Sequence, residues 1–358
     1  MNDIRKPNKE RIRAALLGQS VDRVPHFEVA IEPKVCKAIT GRDVGSTLAA
    51  SRGASTETFV APPMDPQDYM EIVNFTGQDV IGFEALWAPF KYKDEQGNLQ
   101  IINDGRIKDL DILKNEIILP NWELDFEPRR KYFKIYNDAV KGTGIGTFLL
   151  TGAIFQTCYT FLVGFEDFFT AVYTDREFIE EILDVCLEYY MKVVDIALDS
   201  GLTFLFLGDD VAFNSGTFMN PEYFKELFIP RYRKMVKMAN EAGVPVLFHS
   251  CGKLDDIFDD VVMGLGFEGI NPIEPYCMDI FEIKKKYGKD ITISGNIDIA
   301  GPLAFGTPED VRKDVQMHLE KLMPGGRYIC STNHSIMDDI PFENYKAMVE
   351  TIHEFGKY

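Results

Sequence analysis

The stretch Val244-Pro-Val-Leu-Phe-His-Ser-Cys-Gly252 is an apolar run that stops abruptly in polar residues. Val244 to Phe248 reads as a buried strand, and the residues closing it include two soft-metal ligand types. Residues i and i+2 of a strand share a face, so His249 and Cys251 point the same way. Taken alone, the pattern fits either half of a zinc site or a strand end with an ordinary thiol.

The same arrangement, an apolar strand ending on polar residues with a helix after it, recurs in both directions. Strands begin near positions 23, 79, 146, 202, 244, 269, 291 and 327. Helical patterns fall between them, for example Asp175 to Ser200 and Asp279 to Tyr287. Asn220-Pro221-Glu222 and Thr307-Pro308-Glu309 open two more, with proline at the first helical position. Strands alternating with helices imply a parallel sheet. Eight repeats imply an α/β fold of the (β/α)8 TIM-barrel kind. An open doubly wound sheet is the alternative, but no glycine-rich phosphate loop follows the first strand. The expectation is a single decorated barrel over residues 1–358. It carries an N-terminal helical extension, Arg5 to Leu17, and an insertion at about 92–130 with a β-hairpin turning at Gln96-Gly-Asn98. A Gly/Ser/Pro-rich loop, Gly45 to Pro66, is placed to cover something.

Composition narrows the function. The chain has 358 residues, 46% hydrophobic and 26% charged, with 38 basic against 56 acidic side chains and a formal charge of −18. That balance argues against nucleic acid and anionic membranes as partners. No apolar run is long enough to cross a membrane, and no secretory signal is visible, so a cytoplasmic location is expected. The six cysteines show no framework spacing and read as reduced thiols.

In a parallel barrel, chemistry collects at the C-terminal ends of the strands. Those ends carry His26 and Glu28, Glu84, Thr151, Asp209 and Asp210, His249 and Cys251, Glu274, Asn296 and Asp298, and Cys330 and His334. A purely structural barrel does not need polar residues at all eight ends. Trp87 and Phe90 after the second strand, with Phe148, Phe155, Tyr159, Phe161, Phe165, Phe168 and Phe169 around the third, supply rings to wall an apolar pocket.

Several segments resemble the uroporphyrinogen decarboxylase-like superfamily. They are Asn220-Pro-Glu-Tyr-Phe224, Phe281-Glu-Ile-Lys-Lys-Lys-Tyr-Gly288, Gly295-Asn-Ile-Asp298, Gly306-Thr-Pro-Glu-Asp-Val311, Ile340-Pro-Phe-Glu-Asn344 and Val21-Asp-Arg-Val-Pro25. The resemblance implies a TIM barrel of the uroporphyrinogen decarboxylase type. The decarboxylases carry an arginine-rich segment after the first strand, where this chain reads Phe27-Glu-Val-Ala-Ile-Glu-Pro33 with two acids. An acidic loop repels a polycarboxylate substrate. Glu84 stands where the decarboxylases have a catalytic Asp.

The cobamide-dependent methyltransferase branch is more similar, because it binds zinc through a His-x-Cys pair after the fifth strand. His249-Ser-Cys251 matches that pair. The branch's remaining ligand comes from the eighth strand, where either Cys330 or His334, or both, fills the place. The resemblance thus implies a zinc-dependent, corrinoid-linked methyltransferase with a separate corrinoid protein as partner; a homodimer is compatible with it. Glu84 and Asp209 are its expected catalytic residues, and His26, Glu28, Trp87, Asp210, Glu274 and Asn296 its expected substrate contacts. In one version a methoxylated aromatic gives its methyl to the corrinoid. In another a thiol accepts methyl from methylcobalamin. A decarboxylase of a smaller carboxylated substrate, and a barrel that only binds its ligand, are the readings from other classes.

Overall fold

A computed structural model describes residues 6–48, 52–53, 64–95, 99–102, 105–116 and 122–358. Most of the Gly45–Pro66 loop lies outside the described residues.

Seven parallel strands form one curled sheet: β1 (Val80–Glu84), β2 (Gly146–Thr151), β3 (Phe204–Gly208), β4 (Val246–His249), β5 (Gly269–Asn271), β6 (Thr292–Ser294) and β7 (Tyr328–Ile329). Each pairs with its neighbour in chain order, β7-β6-β5-β4-β3-β2-β1. They correspond to the second through eighth strands expected from sequence. The first expected strand is instead an extended segment, residues 24–28, that closes the barrel. It joins β7 through the parallel bridge His26–Cys330, with Phe27 N donating to Cys330 O at 3.1 Å and Cys330 N to Pro25 O at 2.9 Å. It meets the approach to β1 through side chains, with Glu28 N donating to Gln78 Oε1 at 3.0 Å. Pro25 lacks an N–H, which leaves this segment short of a regular ladder. The sixth expected strand likewise stops at Asn271, where Pro272 follows.

The register decides which side chains enter the barrel. Phe27, Val80, Phe148, Phe204, Phe206, Leu247 and Ile329 form one buried cluster that fills the lumen. Phe27 is its centre, with its ring edge-on to Phe148 at 5.1 Å and to Phe204 and Phe206 at 5.5 Å. Helix α1 (Lys9–Leu16) plugs the N-terminal end with Ile12, Ala15 and Leu16. The alternate residues, among them Val24, Ile81, Leu205, Phe248 and Cys330, face a larger core under the outer helices. Those helices include α2 (Arg176–Ser200), α3 (Pro221–Glu241), α4 (Pro308–Leu322) and α5 (Phe342–Phe355). The two arms of the expected hairpin pair, with Lys91–Lys93 antiparallel to Leu99–Ile101; the turn at Gln96-Gly-Asn98 lies outside the described residues. No helix among the described residues is long and apolar enough to cross a membrane.

Candidate metal centre at the barrel mouth

Counting outward from the filled lumen places the polar residues. Leu247 points in, so His249 does too, and Cys251 continues on that side. Phe206 points in, so Gly208 and then Asp210 follow. These three residues converge: one ligand atom from each of Asp210, His249 and Cys251 lies within 4.8 Å of the other two. His249 Nε2 is 3.8 Å from Cys251 Sγ and 3.7 Å from Asp210 Oδ1. Ligands about 2.0–2.3 Å from a tetrahedral zinc sit roughly 3.3–3.8 Å apart, so the spacing suits such an ion. Among the described residues no other His, Cys, Asp or Glu group converges in this way.

A chain of inward-facing polar groups orients the imidazole. Asn271 Nδ2 donates to Ser294 Oγ at 3.1 Å and approaches Ser331 Oγ at 3.4 Å. The two serine hydroxyls are 3.1 Å apart. The Asn271 carbonyl oxygen therefore faces His249 Nδ1, at 2.7 Å. With an acceptor opposite, Nδ1 carries the hydrogen and Nε2 keeps its lone pair toward Asp210 and Cys251. This is the arrangement in which a ligating histidine is held by an outer hydrogen bond. Sequence reading missed Asn271, Ser294 and Ser331; the available signal was a polar residue ending each of β5 and β6.

The thiol is held protonated without a cation. Burial pushes the Cys251 thiol up, and the neighbouring carboxylates Asp210 and Glu274 push it further. A divalent cation reverses the penalty, because it offsets the same negative charges. Asp210 Oδ1 also accepts from Cys251 N at 2.9 Å, and Glu274 Oε2 accepts from Gly252 N at 2.9 Å. Gly252 has φ +88° and no room for a side chain, since a Cβ there would lie 2.4 Å from Ala212 O.

Aromatic rings stand beside this centre. Tyr159 donates to the Asp210 carbonyl at 2.8 Å. Its ring meets Phe165 and Phe218 at 5.6 Å, and Phe213 lies edge-on to Phe218 at 4.3 Å. Phe165 and Phe213 remain 45% and 51% exposed at the rim.

The other expected site residues sit elsewhere, with one exception. Glu84 points into the mouth, following Val80 and Gly82 on the inward face. Asp209 is one residue out of phase with Asp210 and is fully buried. It accepts from the backbone N–H groups of Phe155 and Gln156, both at 2.8 Å, and from the Tyr232 hydroxyl. It anchors the loop after β2, and burial pushes its carboxyl up to about 7.

His26 and Glu28 alternate with Phe27 and face outward, 2% and 1% exposed. His26 Nε2 is 2.8 Å from Glu28 Oε1, and the other Glu28 oxygen accepts from Thr332 Oγ1 at 2.5 Å. They tie the closing segment to the eighth strand rather than line the mouth. Cys330 follows the inward Ile329 and so faces the outer core, where burial pushes its thiol up to about 12. His334 is exposed in the loop beyond. Neither joins the cluster of potential ligands. Trp87 is core, stacked on Tyr189 at 5.3 Å. Asn296 is buried, donates to Ile273 O, and lines a cleft of about 500 Å³ that contains none of the three converging residues.

A barrel carrying His-x-Cys at its mouth defines a class, and comparison with known proteins gives the family. Residues 131–355 match the family model "Uroporphyrinogen decarboxylase (URO-D)", and the chain belongs to that family. A uroporphyrinogen decarboxylase of Methylococcus capsulatus is 24% identical over 187 residues, 51% of this chain and 49% of that protein. A methylated-thiol–coenzyme M methyltransferase of Methanosarcina mazei is 23% identical over 193 residues, 54% of this chain and 49% of that protein. The matches span about half the length of these curated relatives. A solved methyltransferase structure from Methanosarcina mazei superposes with a TM-score of 0.70 at 19% identity, covering 97% of this chain and 98% of that one. It shows that the fold is shared across nearly the whole chain. The superfamily therefore holds both decarboxylase and methyltransferase relatives of this protein.

Proposed function

We propose that this protein is a zinc-dependent methyltransferase that moves a methyl group from a methoxylated aromatic compound to the corrinoid of a separate protein. The observation that carries the reading is the convergence of Asp210, His249 and Cys251 at the C-terminal ends of β3 and β4. His249 and Cys251 would hold the metal, with Asn271 fixing the imidazole. Bound there, zinc would supply a Lewis acid for the oxygen from which the methyl departs. Glu84, on the same face of its strand as Val80 and Gly82, would act at this mouth as a catalytic residue. Tyr159, Phe165 and Phe213 supply ring surface for an aromatic donor.

The methyltransferase of Methanosarcina mazei supports methyl transfer and also keeps a second version open, in which a thiol is the acceptor. A decarboxylase reading has sequence relatives on its side. The run Phe27 to Pro33 carries no arginine to bind the carboxylates of such a substrate. The test is metal analysis of purified protein, followed by assay with methoxylated aromatics and a corrinoid acceptor. Loss of both metal and methyl transfer in His249→Ala and Cys251→Ala supports the proposal. Fully active metal-free protein, or CO2 release from a carboxylated substrate without metal, ends it.

A further inference from the structure

We infer that Asp210 takes the place of an eighth-strand residue as the third metal ligand, and that the resulting one-thiolate centre is matched to an oxygen atom of the substrate rather than a sulfur atom. The inference rests on the metal-dependent reading above and specifies its donor set.

Geometry comes first. The inward residues of the eighth strand are Ile329, in the lumen cluster, and Ser331, bonded to Ser294. Cys330 lies between them and turns away. Bringing its sulfur inward requires a one-residue rotation of the strand, which moves every side chain to the opposite face. It also breaks the bonds from Phe27 N to Cys330 O and from Cys330 N to Pro25 O that close the barrel. Asp210 needs no such change. Its Oδ1 already stands 3.7 Å from His249 Nε2 and is held by Cys251 N. Its backbone is held too, because Tyr159 donates to its carbonyl and Val211 N donates to Ser250 Oγ at 3.2 Å.

The chemistry follows from the donors. A His, Cys and Asp set carries the same net ligand charge as a His and two Cys set, but the carboxylate is the harder donor. It passes less electron density to the ion than a second thiolate does. The ion stays the stronger Lewis acid, which favours polarising a bound ether or phenol oxygen. An acceptor thiolate is better served by an electron-rich, thiolate-rich ion that leaves the sulfur nucleophilic. Asp210 therefore points to an oxygen-bearing substrate class.

The full-length protein loaded with Co2+ reports on this directly, because thiolate-to-cobalt charge transfer scales with the number of bound sulfurs. Wild type is expected to show intensity for one thiolate. Asp210→Ala should weaken zinc binding by more than the ~10–100-fold typical of an outer-shell loss, with its circular dichroism unchanged. Asp210→Cys should restore binding and double the charge-transfer intensity. Phenol, used as the oxygen probe, should perturb the cobalt spectrum of wild type at lower concentration than that of Asp210→Cys. Two-thiolate intensity in wild type, or unchanged zinc affinity in folded Asp210→Ala, overturns the assignment of Asp210 while leaving the metal reading intact. Equal phenol response in wild type and Asp210→Cys overturns the oxygen preference. Wild type that binds neither Zn2+ nor Co2+ defeats this inference and the functional reading together.

Discussion

Two strand ends of this barrel look alike on paper and differ in space. Near the end of β4 stand His249 and Cys251; near the end of β7 stand Cys330 and His334, with His26 and Glu28 beside them on the closing segment. On β4 the lumen residue is Leu247, so the polar pair two and four positions later stays on the lumen side. On β7 the lumen residue is Ile329, so Cys330 falls on the other face. A difference of one residue in phase turns a potential ligand into a core thiol. It likewise separates Asp210, at the mouth, from Asp209, which holds a loop.

The comparison breaks most visibly if the two ends respond alike to substitution. Cys251→Ser is expected to lower zinc affinity by more than about 100-fold, beyond what loss of an outer-shell partner causes, while the melting temperature changes little. Competition with a chromogenic chelator measures it. Glu28→Ala should do the reverse. It leaves buried His26 and Thr332 without their hydrogen-bond acceptor, at about 1–3 kcal/mol for each, so urea unfolding should shift strongly while the folded fraction binds zinc normally. If Glu28→Ala abolishes zinc binding in folded protein, the outward reading of the closing segment is wrong.

Asn271→Ala sharpens the same contrast from within the site. It frees His249 Nδ1 of its acceptor and should cost ~10–100-fold in zinc affinity. An unchanged affinity would show that the polar chain through Ser294 and Ser331 does not orient the ligand.

A separate contrast, read in stability rather than metal affinity, concerns pH and Asp209. Its folded carboxyl is pushed up to about 7 from an ordinary 3.8. The folded state thus binds more protons between those values, so this group's contribution is full below about 4 and fades as pH rises toward 7. Urea midpoints of wild type relative to Asp209→Asn should fall between pH 4 and pH 7. A difference that is flat across that range contradicts the buried placement.

The fold was largely legible because strand–helix alternation is a property of local pattern. All eight expected strand positions are occupied by strand or by the extended closing segment. Lengths were less legible, since Pro25 and Pro272 cut two runs short by removing backbone donors. Half of the candidate site was legible, because His249 and Cys251 share a face by their spacing alone. The remainder depended on which face is the lumen, and apolar strands do not announce that. Tyr328 and Ile329 are both fully buried, one on each side of β7, so the sequence around Cys330 carries no parity signal. Asn271, Ser294 and Ser331 became significant only when the register of β4, β5, β6 and β7 brought them into one layer.

The most direct test of the central claim is the zinc content of purified wild type, Cys251→Ser and Cys330→Ser, measured by atomic emission. The metal centre proposed at the end of β4 predicts one zinc per chain in wild type and in Cys330→Ser, and loss of zinc from Cys251→Ser. Zinc retained by Cys251→Ser, or lost from a folded Cys330→Ser, would contradict it.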